Sequence, residues 1–438
     1  MSTIEFVLAS GDVRAVLQPI VDLDSGAVVA YEALARGPVG ELERPDLLFA
    51  EARRIGRLAE LDELCRRAAL RAAVDQRVLA PLMLFVNVEP EVLDSAPLDD
   101  LVALAADAPG EIQVVMEITE RALATRPAEL LRTVERVRSL GWKVALDDVG
   151  ADDMSLAFMP LLRPEVVKLD LRLVQERPGP AIAEIMNAVN AYAERSGAVV
   201  LAEGIETERH LAVARALGAR LGQGWLLGRP APGPAAHRPH GELLLPGVPA
   251  ADWARASPFS CLPATTALRR SAKPLLIELS KHLERQALRL GATTVAVGAF
   301  QEARYFTRRP LPDTRPLRAR PVSSPPWERG WISSRYAVCA AHPWPPTTRS
   351  AASGTSSCCP RTSLPRCSPA TSATSATFEF ALTYDRDTVV RATQALLGRV
   401  APQIPPPAGR VALPSATREW GFADTLTGRL VRPRTATP

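Results

Sequence analysis

The sequence predicts an α/β fold over its first half, built from strands and helices in alternation, followed by a smaller, incomplete α/β unit. Three observations carry this. Short apolar runs recur at intervals of roughly thirty residues or fewer, the spacing of βαβ units. The stretches between them place apolar residues three and four apart, as helices do. Each run is also stopped by a polar residue: 83–86 by Asn87, 112–116 by Glu117, 144–146 by Asp147 and Asp148, 166–167 by Lys168, and 198–202 by Glu203. Buried parallel strands read as continuous apolar runs. A charge at their ends costs desolvation unless something pairs with it. Strand C-terminal ends are where barrels of alternating strands and helices build their sites. Five such ends in succession therefore predict a shared, oxygen-rich centre.

Taken in order, residues 16–23 read as the first strand. Asp24, Ser25 and Gly26 form a turn signal. Residues 28–31 return as a second strand and deliver Glu32 and Arg36. A three-residue turn cannot make a parallel crossover, so this pair is antiparallel. Residues 46–79 read as helical, and 127–140, 180–195 and 207–217 as the helices between later strands. The pattern closes on 221–230, which carries Gln223. Residues 231–253 are rich in Pro, Ala and Gly, the composition of a linker. Residues 268–289 read as an amphipathic helix with Leu275, Leu276, Leu279, Leu283 and Leu288 as its apolar face. Residues 293–300 read as a strand, and 378–400 as a strand and a helix.

Composition narrows the function. The chain has 438 residues and a formal net charge of +4. Residues 308–377 hold ten arginines against Asp313 and Glu328, so the rest of the chain is net acidic. That balance argues against a nucleic-acid binder. No apolar run approaches a membrane span and no N-terminal signal stands out, which predicts a cytoplasmic protein without membrane contact. Cys65 and Cys261 stand apart. Cys339, Cys358, Cys359 and Cys367 crowd into the odd segment without a Cys-x-x-Cys pair, which argues against zinc. Lysine occurs only at 143, 168, 273 and 281 in this arginine-rich chain. Lys168 at a strand end is therefore notable, since a buried ammonium can hold a water where a guanidinium is too large.

The ordered set Gln18-Pro19-Ile20, Glu32-Ala33-Leu34 with Arg36, Asn87-Val88, Glu117-Ile118-Thr119-Glu120, Asp147-Asp148, Lys168-Leu169-Asp170, Ala202-Glu203-Gly204-Ile205-Glu206 and Gly222-Gln223-Gly224 resembles the EAL-domain cyclic di-GMP phosphodiesterases. The resemblance covers residues 5–235. It implies a modified (β/α)8 barrel with one antiparallel strand, and cyclic di-GMP as substrate, opened to linear pGpG. It also implies a two-metal site for Mg²⁺ or Mn²⁺. Glu32, Asn87, Glu117 and Asp147 would hold the first ion. Asp147 would bridge, with Asp148 and Glu203 completing the second. All-oxygen ligands with several carboxylates suit hard divalent cations. Two such ions can activate a water and stabilise the leaving oxygen. Lys168 would orient the water, with Glu203 as general base and Glu32 essential to the first ion. Arg36, Gln18 and Gln223 would contact substrate, and Glu120 would anchor the loop after Asp148. A homodimer through the barrel is a further implication. The alternative is a receptor that binds cyclic di-GMP without cleaving it. One departure bears on this: Val149 stands where the family carries an aromatic, and Asp152 where glycine is usual.

The second half resembles a DICT-type sensory domain at Lys273–276, 297–301, Tyr305-Phe306 and 378–385. The expected organisation is thus a barrel at 5–235, a linker at 236–260, a sensory domain at 261–400 and a mobile tail at 401–438. Residues 308–377 interrupt that domain. Their Pro-, Ser-, Arg- and Cys-rich composition matches GC-rich DNA read out of frame, and a natural disordered insert is the other reading. Either predicts irregular coil.

Overall fold

A computed structural model describes residues 3–92, 98–119, 127–151, 154–177, 179–234, 239–248, 257–290, 295–299, 330–334 and 377–398. All of these fall within one compact unit, Met1–Gln403.

Eight strands close into a barrel in chain order. β1 (Arg14–Asp22) and β2 (Val28–Arg36) are the opening hairpin, antiparallel with Gln18 opposite Glu32. Asp22 makes the turn: its Oδ1 accepts from the amides of Asp24 at 3.2 Å and Ser25 at 2.9 Å, and Gly26 follows at φ +73°. β3 (Met83–Asn87), β4 (Gln113–Thr119), β5 (Lys143–Val149), β6 (Val166–Leu169), β7 (Val199–Ala202) and β8 (Leu221–Gly222) run parallel to β2. β8 closes onto β1 antiparallel, pairing Gly222 with Val21. β1 is thus the one reversed strand, as the short turn requires.

The helices α1 (Thr3–Ser10), α2 (Pro45–Arg54), α3 (Leu58–Asp75), α4 (Asp99–Ala106), α5 (Pro127–Ser139), α6 (Met154–Leu162), α7 (Leu171–Gln175), α8 (Pro180–Ser196) and α9 (Glu208–Ala216) alternate with the strands. The stretch read as helical over 46–79 forms two helices, with Gly56 at φ +74° between them.

The strands bury side chains on both faces. Leu84, Val86, Met116, Ile118, Val144, Leu146, Val167 and Leu169 face the helices. Ile20, Ala30, Phe85, Val115, Ala145, Val166, Leu201 and Leu221 fill the barrel interior, with Leu243 among them. A strand alternates sides with period two. Stepping two residues along each strand from this interior layer reaches Gln18, Glu32, Asn87, Glu117, Asp147, Lys168, Glu203 and Gln223. The polar strand ends are therefore one further inward layer stacked on an apolar plug.

After the barrel come β9 (Arg269–Ala272), α10 (Lys273–Leu290), β10 (Val295–Ala299), β11 (Gly330–Ser334), β12 (Thr377–Phe380) and α11 (Arg386–Leu397). β10 pairs with β11 and β9 with β12, both antiparallel. β11 lies inside the stretch expected to be irregular coil, so that expectation fails at 330–334; Trp331 and Ile332 supply the β-propensity the composition hid. The rest of 308–377 except Thr377, the start of β12, lies outside the described residues, as does the tail. On α10, Leu276 and Leu283 are buried, but Leu275 is 52% exposed and does not belong to the apolar face. α11 packs on the barrel: Leu396 and Leu397 join its outer core, and Gln394 Nε2 donates to the Leu161 carbonyl of α6 at 2.6 Å. No helix among the described residues is long and apolar enough to cross a membrane.

Candidate active site

Lys168 is the hub of the inward polar layer and is fully buried. Its Nζ lies 2.5 Å from Glu117 Oε1, 2.8 Å from Glu203 Oε1, 3.1 Å from Asp147 Oδ1 and 3.7 Å from Glu32 Oε1. Four carboxylates from four strands thus share one cation. Burial alone would depress the Lys168 ammonium, but the surrounding carboxylates outweigh it and hold its pKa well above the ordinary value. The carboxylates divide. Burial pushes Glu117 well above the usual carboxylate range, with the charge of Glu32 adding to it. Burial likewise pushes Glu203 up to about 8, against the pull of Lys168. Burial opposes ionisation of Glu32 too, yet Lys168 and hydrogen bonds from Gln223 and Asn87 hold it low.

Those amides make a cradle. Gln223 Nε2 donates to Glu32 Oε2 at 2.6 Å and to Gln18 Oε1 at 3.1 Å, and Gln18 Nε2 donates to the Gly228 carbonyl at 3.1 Å. Asn87 Nδ2 donates to Glu32 Oε1 at 3.0 Å, which leaves its Oδ1 as an acceptor. Gln18 and Gln223, expected to touch substrate, are both buried; Gln223 bonds Glu32 and Gln18 bonds Gln223. Arg36 is half-buried at the end of β2 and donates to the Ala35 carbonyl at 2.7 Å.

Adjacent residues on a strand face opposite ways, so Asp147 and Asp148 need a departure from regular β geometry to serve one site. They have it. The β5–β6 register slips between Leu146 and Val149, and Asp148 takes φ +56°. Asp and Asn tolerate this left-handed region better than most residues, at a cost. Carboxylate oxygens of Asp147, Asp148 and Glu203 then lie within 4.8 Å of one another. Val149, where the family carries an aromatic, is fully buried in the outer core. Asp170, also read at a strand end, caps α7 instead: its Oδ1 accepts from the Arg172 amide at 2.9 Å. Glu120 and Asp152 lie outside the described residues.

The donor set fits hard divalent cations. Glu117 Oε1 and Asp147 Oδ1 are buried with the Lys168 ammonium, at 2.5 and 3.1 Å, as their donor, and Glu117 Oε2 is buried with no hydrogen bond. The surplus negative charge and these open lone pairs call for further positive charge, and every donor is oxygen.

A closed, mostly parallel barrel with an acidic, oxygen-lined centre at its strand ends defines the class. Residues 4–230 match the EAL domain, and the chain belongs to that family. The cyclic di-GMP phosphodiesterase NbdA of Pseudomonas aeruginosa is 33% identical over 225 residues, 49% of this chain and 28% of that one. RocR, a cyclic di-GMP phosphodiesterase of the same organism, is 31% identical over 237 residues, 51% of this chain and 59% of its own. The probable cyclic di-GMP phosphodiesterase PdeB of Escherichia coli is 30% identical over 49% of this chain and 42% of that one. This chain therefore spans between about a quarter and three-fifths of these relatives. Among solved structures, Klebsiella pneumoniae BlrP1 in a manganese and cyclic di-GMP complex is similar at 27% identity, covering 50% of this chain and 56% of that one, with a TM-score of 0.46.

Proposed function

We propose that the barrel is a metal-dependent phosphodiesterase that hydrolyses cyclic di-GMP to linear pGpG. The observation that supports this most is the ring of Glu32, Glu117, Asp147 and Glu203 around Lys168, with Asp148 beside it, inside a member of the EAL family. The relatives named as cyclic di-GMP phosphodiesterases point to the substrate. Glu32, Asn87, Glu117 and Asp147 would hold one Mg²⁺ or Mn²⁺, and Asp147, Asp148 and Glu203 a second. Such ions supply Lewis acidity at a phosphodiester and lower the pKa of a bound water.

The chain's own residues do the rest. Lys168 and Glu203 are in direct contact at 2.8 Å, and an attacking water beside them would be oriented by the pair. Glu203 would accept its proton on a carboxylate oxygen. Lys168, Gln223 and Asn87 keep Glu32 ionised, Gln18 holds Gln223 in place, and both glutamines would contact substrate from there. Arg36 would meet a substrate phosphate. A barrel at 5–235, a linker at 236–260, a sensory unit at 261–400, a homodimer through the barrel and a cytoplasmic setting complete this reading.

The test is the full chain with cyclic di-GMP and Mg²⁺ or Mn²⁺, with pGpG resolved by chromatography. Turnover should vanish with EDTA and in Glu32→Ala. Calcium should inhibit, because it prefers more ligands and polarises water less. Normal turnover in EDTA would refute the metal assignment. Tight binding of cyclic di-GMP without any pGpG, in either metal, would favour the receptor reading instead.

A further inference from the structure

The mouth around the acidic centre is not uniformly polar. Trp225 is 53% exposed and Leu171 44% exposed. Leu171 lies three residues beyond Lys168, and Trp225 two beyond Gln223, so the chain carries both close to the site. They also belong to one continuous ledge. A Cβ on Gly204 would meet the Leu171 Cβ at 2.5 Å, and a Cβ on Gly224 would meet the Ile205 nitrogen at 2.3 Å. The chain segments after β6, β7 and β8 therefore pack closely, with glycine at each point of approach. The Ile205 amide donates to the Gln223 carbonyl at 3.0 Å and fastens the last two together. At the end of the ledge the Arg229 guanidinium sits 4.1 Å from the Trp225 ring centroid. A cation held over an indole steadies the ring at its edge of the site.

Single exposed apolar residues are ordinary. An indole clamped by a guanidinium, two residues from a side chain bonded to the central Glu32, is a more particular arrangement. It offers a flat aromatic surface next to a centre built for a phosphodiester. A nucleobase fits such a surface, because every base has a π-face and stacks on aromatic side chains.

We propose that Trp225, held by Arg229, is the stacking surface for one guanine base of the substrate and that it sets KM rather than the chemical step. This rests on the phosphodiesterase reading. Steady-state kinetics of the full chain with cyclic di-GMP and Mn²⁺ test it. Trp225→Ala should raise KM about tenfold or more, the scale of one lost base stack, with kcat within about twofold. Trp225→Phe should recover most of the loss, and Arg229→Ala should raise KM by a smaller factor. Thermal midpoints and Mn²⁺ titrations of the variants, matched to the wild type, exclude misfolding and metal loss. A wild-type KM in Trp225→Ala overturns the stacking assignment alone, as does a loss confined to kcat. A wild-type chain that neither binds nor cleaves cyclic di-GMP overturns the phosphodiesterase reading, and this inference with it.

Discussion

Two buried charge clusters occupy opposite ends of the same strands, and they are built on different arithmetic. At the N-terminal end, Arg138 meets Glu165, one cation to one anion. Glu165 Oε1 accepts from Arg138 Nε at 3.2 Å and Oε2 from the Val144 amide at 3.0 Å. The guanidinium spends its other donors on the carbonyls of Leu162 and Arg163 at 2.9 and 2.6 Å. At the C-terminal end, one ammonium, Lys168, is shared among four carboxylates, and Glu117 Oε2 is buried with no hydrogen bond. The first cluster is complete and knits the β5–α6–β6 connection together. The second is a deficit that folding alone leaves open. A balanced buried pair marks structure, while an unbalanced one marks a place that recruits something else.

The sharpest way to break this contrast is to remove a carboxylate from the unbalanced end. Glu117→Gln should lower kcat for cyclic di-GMP by at least about a hundredfold, the scale of losing one preorganised electrostatic partner. The same change should alter the stability of the EDTA-treated protein by no more than about 1 kcal/mol, because burial already favours the neutral Glu117 carboxyl and a neutral amide of the same shape replaces it. Urea unfolding beside the kinetics reads both. A larger loss in the metal-free variant would show that Lys168 already satisfies the site.

The balanced end should respond in the opposite sense. Arg138→Met strands Glu165 and should cost about 3–5 kcal/mol of stability. In protein kept folded at low temperature, kcat should stay near the wild-type value. A large kcat loss in folded Arg138→Met would mean that the two ends are coupled through β5 and β6.

Metal should act only at the unbalanced end. Mn²⁺ at a hundredfold excess over its dissociation constant should stabilise the wild type by about 2.7 kcal/mol and Glu117→Gln by much less, as thermal midpoints would show. Equal gains in both would place the ion elsewhere. The smallest effect belongs to an exposed pair on α3. Arg67 and Glu63 are 3.0 Å apart with about a third of each side chain in water, so Glu63→Ala should shift stability by no more than about 0.5 kcal/mol.

Much of this molecule was legible in its sequence. Strand, helix and polar stop could be read because parallel strands buried on both faces must be apolar throughout, and any charge at their ends stands out. Asn87, Glu117, Asp147, Lys168 and Glu203 were found that way, and the turn at Asp22–Gly26 required β1 to run antiparallel. What the tertiary structure alone decided are relations between residues far apart in the chain or off the regular backbone. Gln18 and Gln223 are far apart in the chain, and closure of β8 onto β1 brings them together, with Gln223 bonded to both Gln18 and Glu32. Asp147 and Asp148 face one site only because the strand slips and Asp148 turns left-handed. Leu171 and Trp225 share a ledge only because glycines at 204 and 224 let three loops touch. Local periodicity is set by neighbours a few residues away and is written in order along the chain. The aim and charge state of a buried side chain are set by whatever the barrel brings within a few ångströms, and that order is not the chain's.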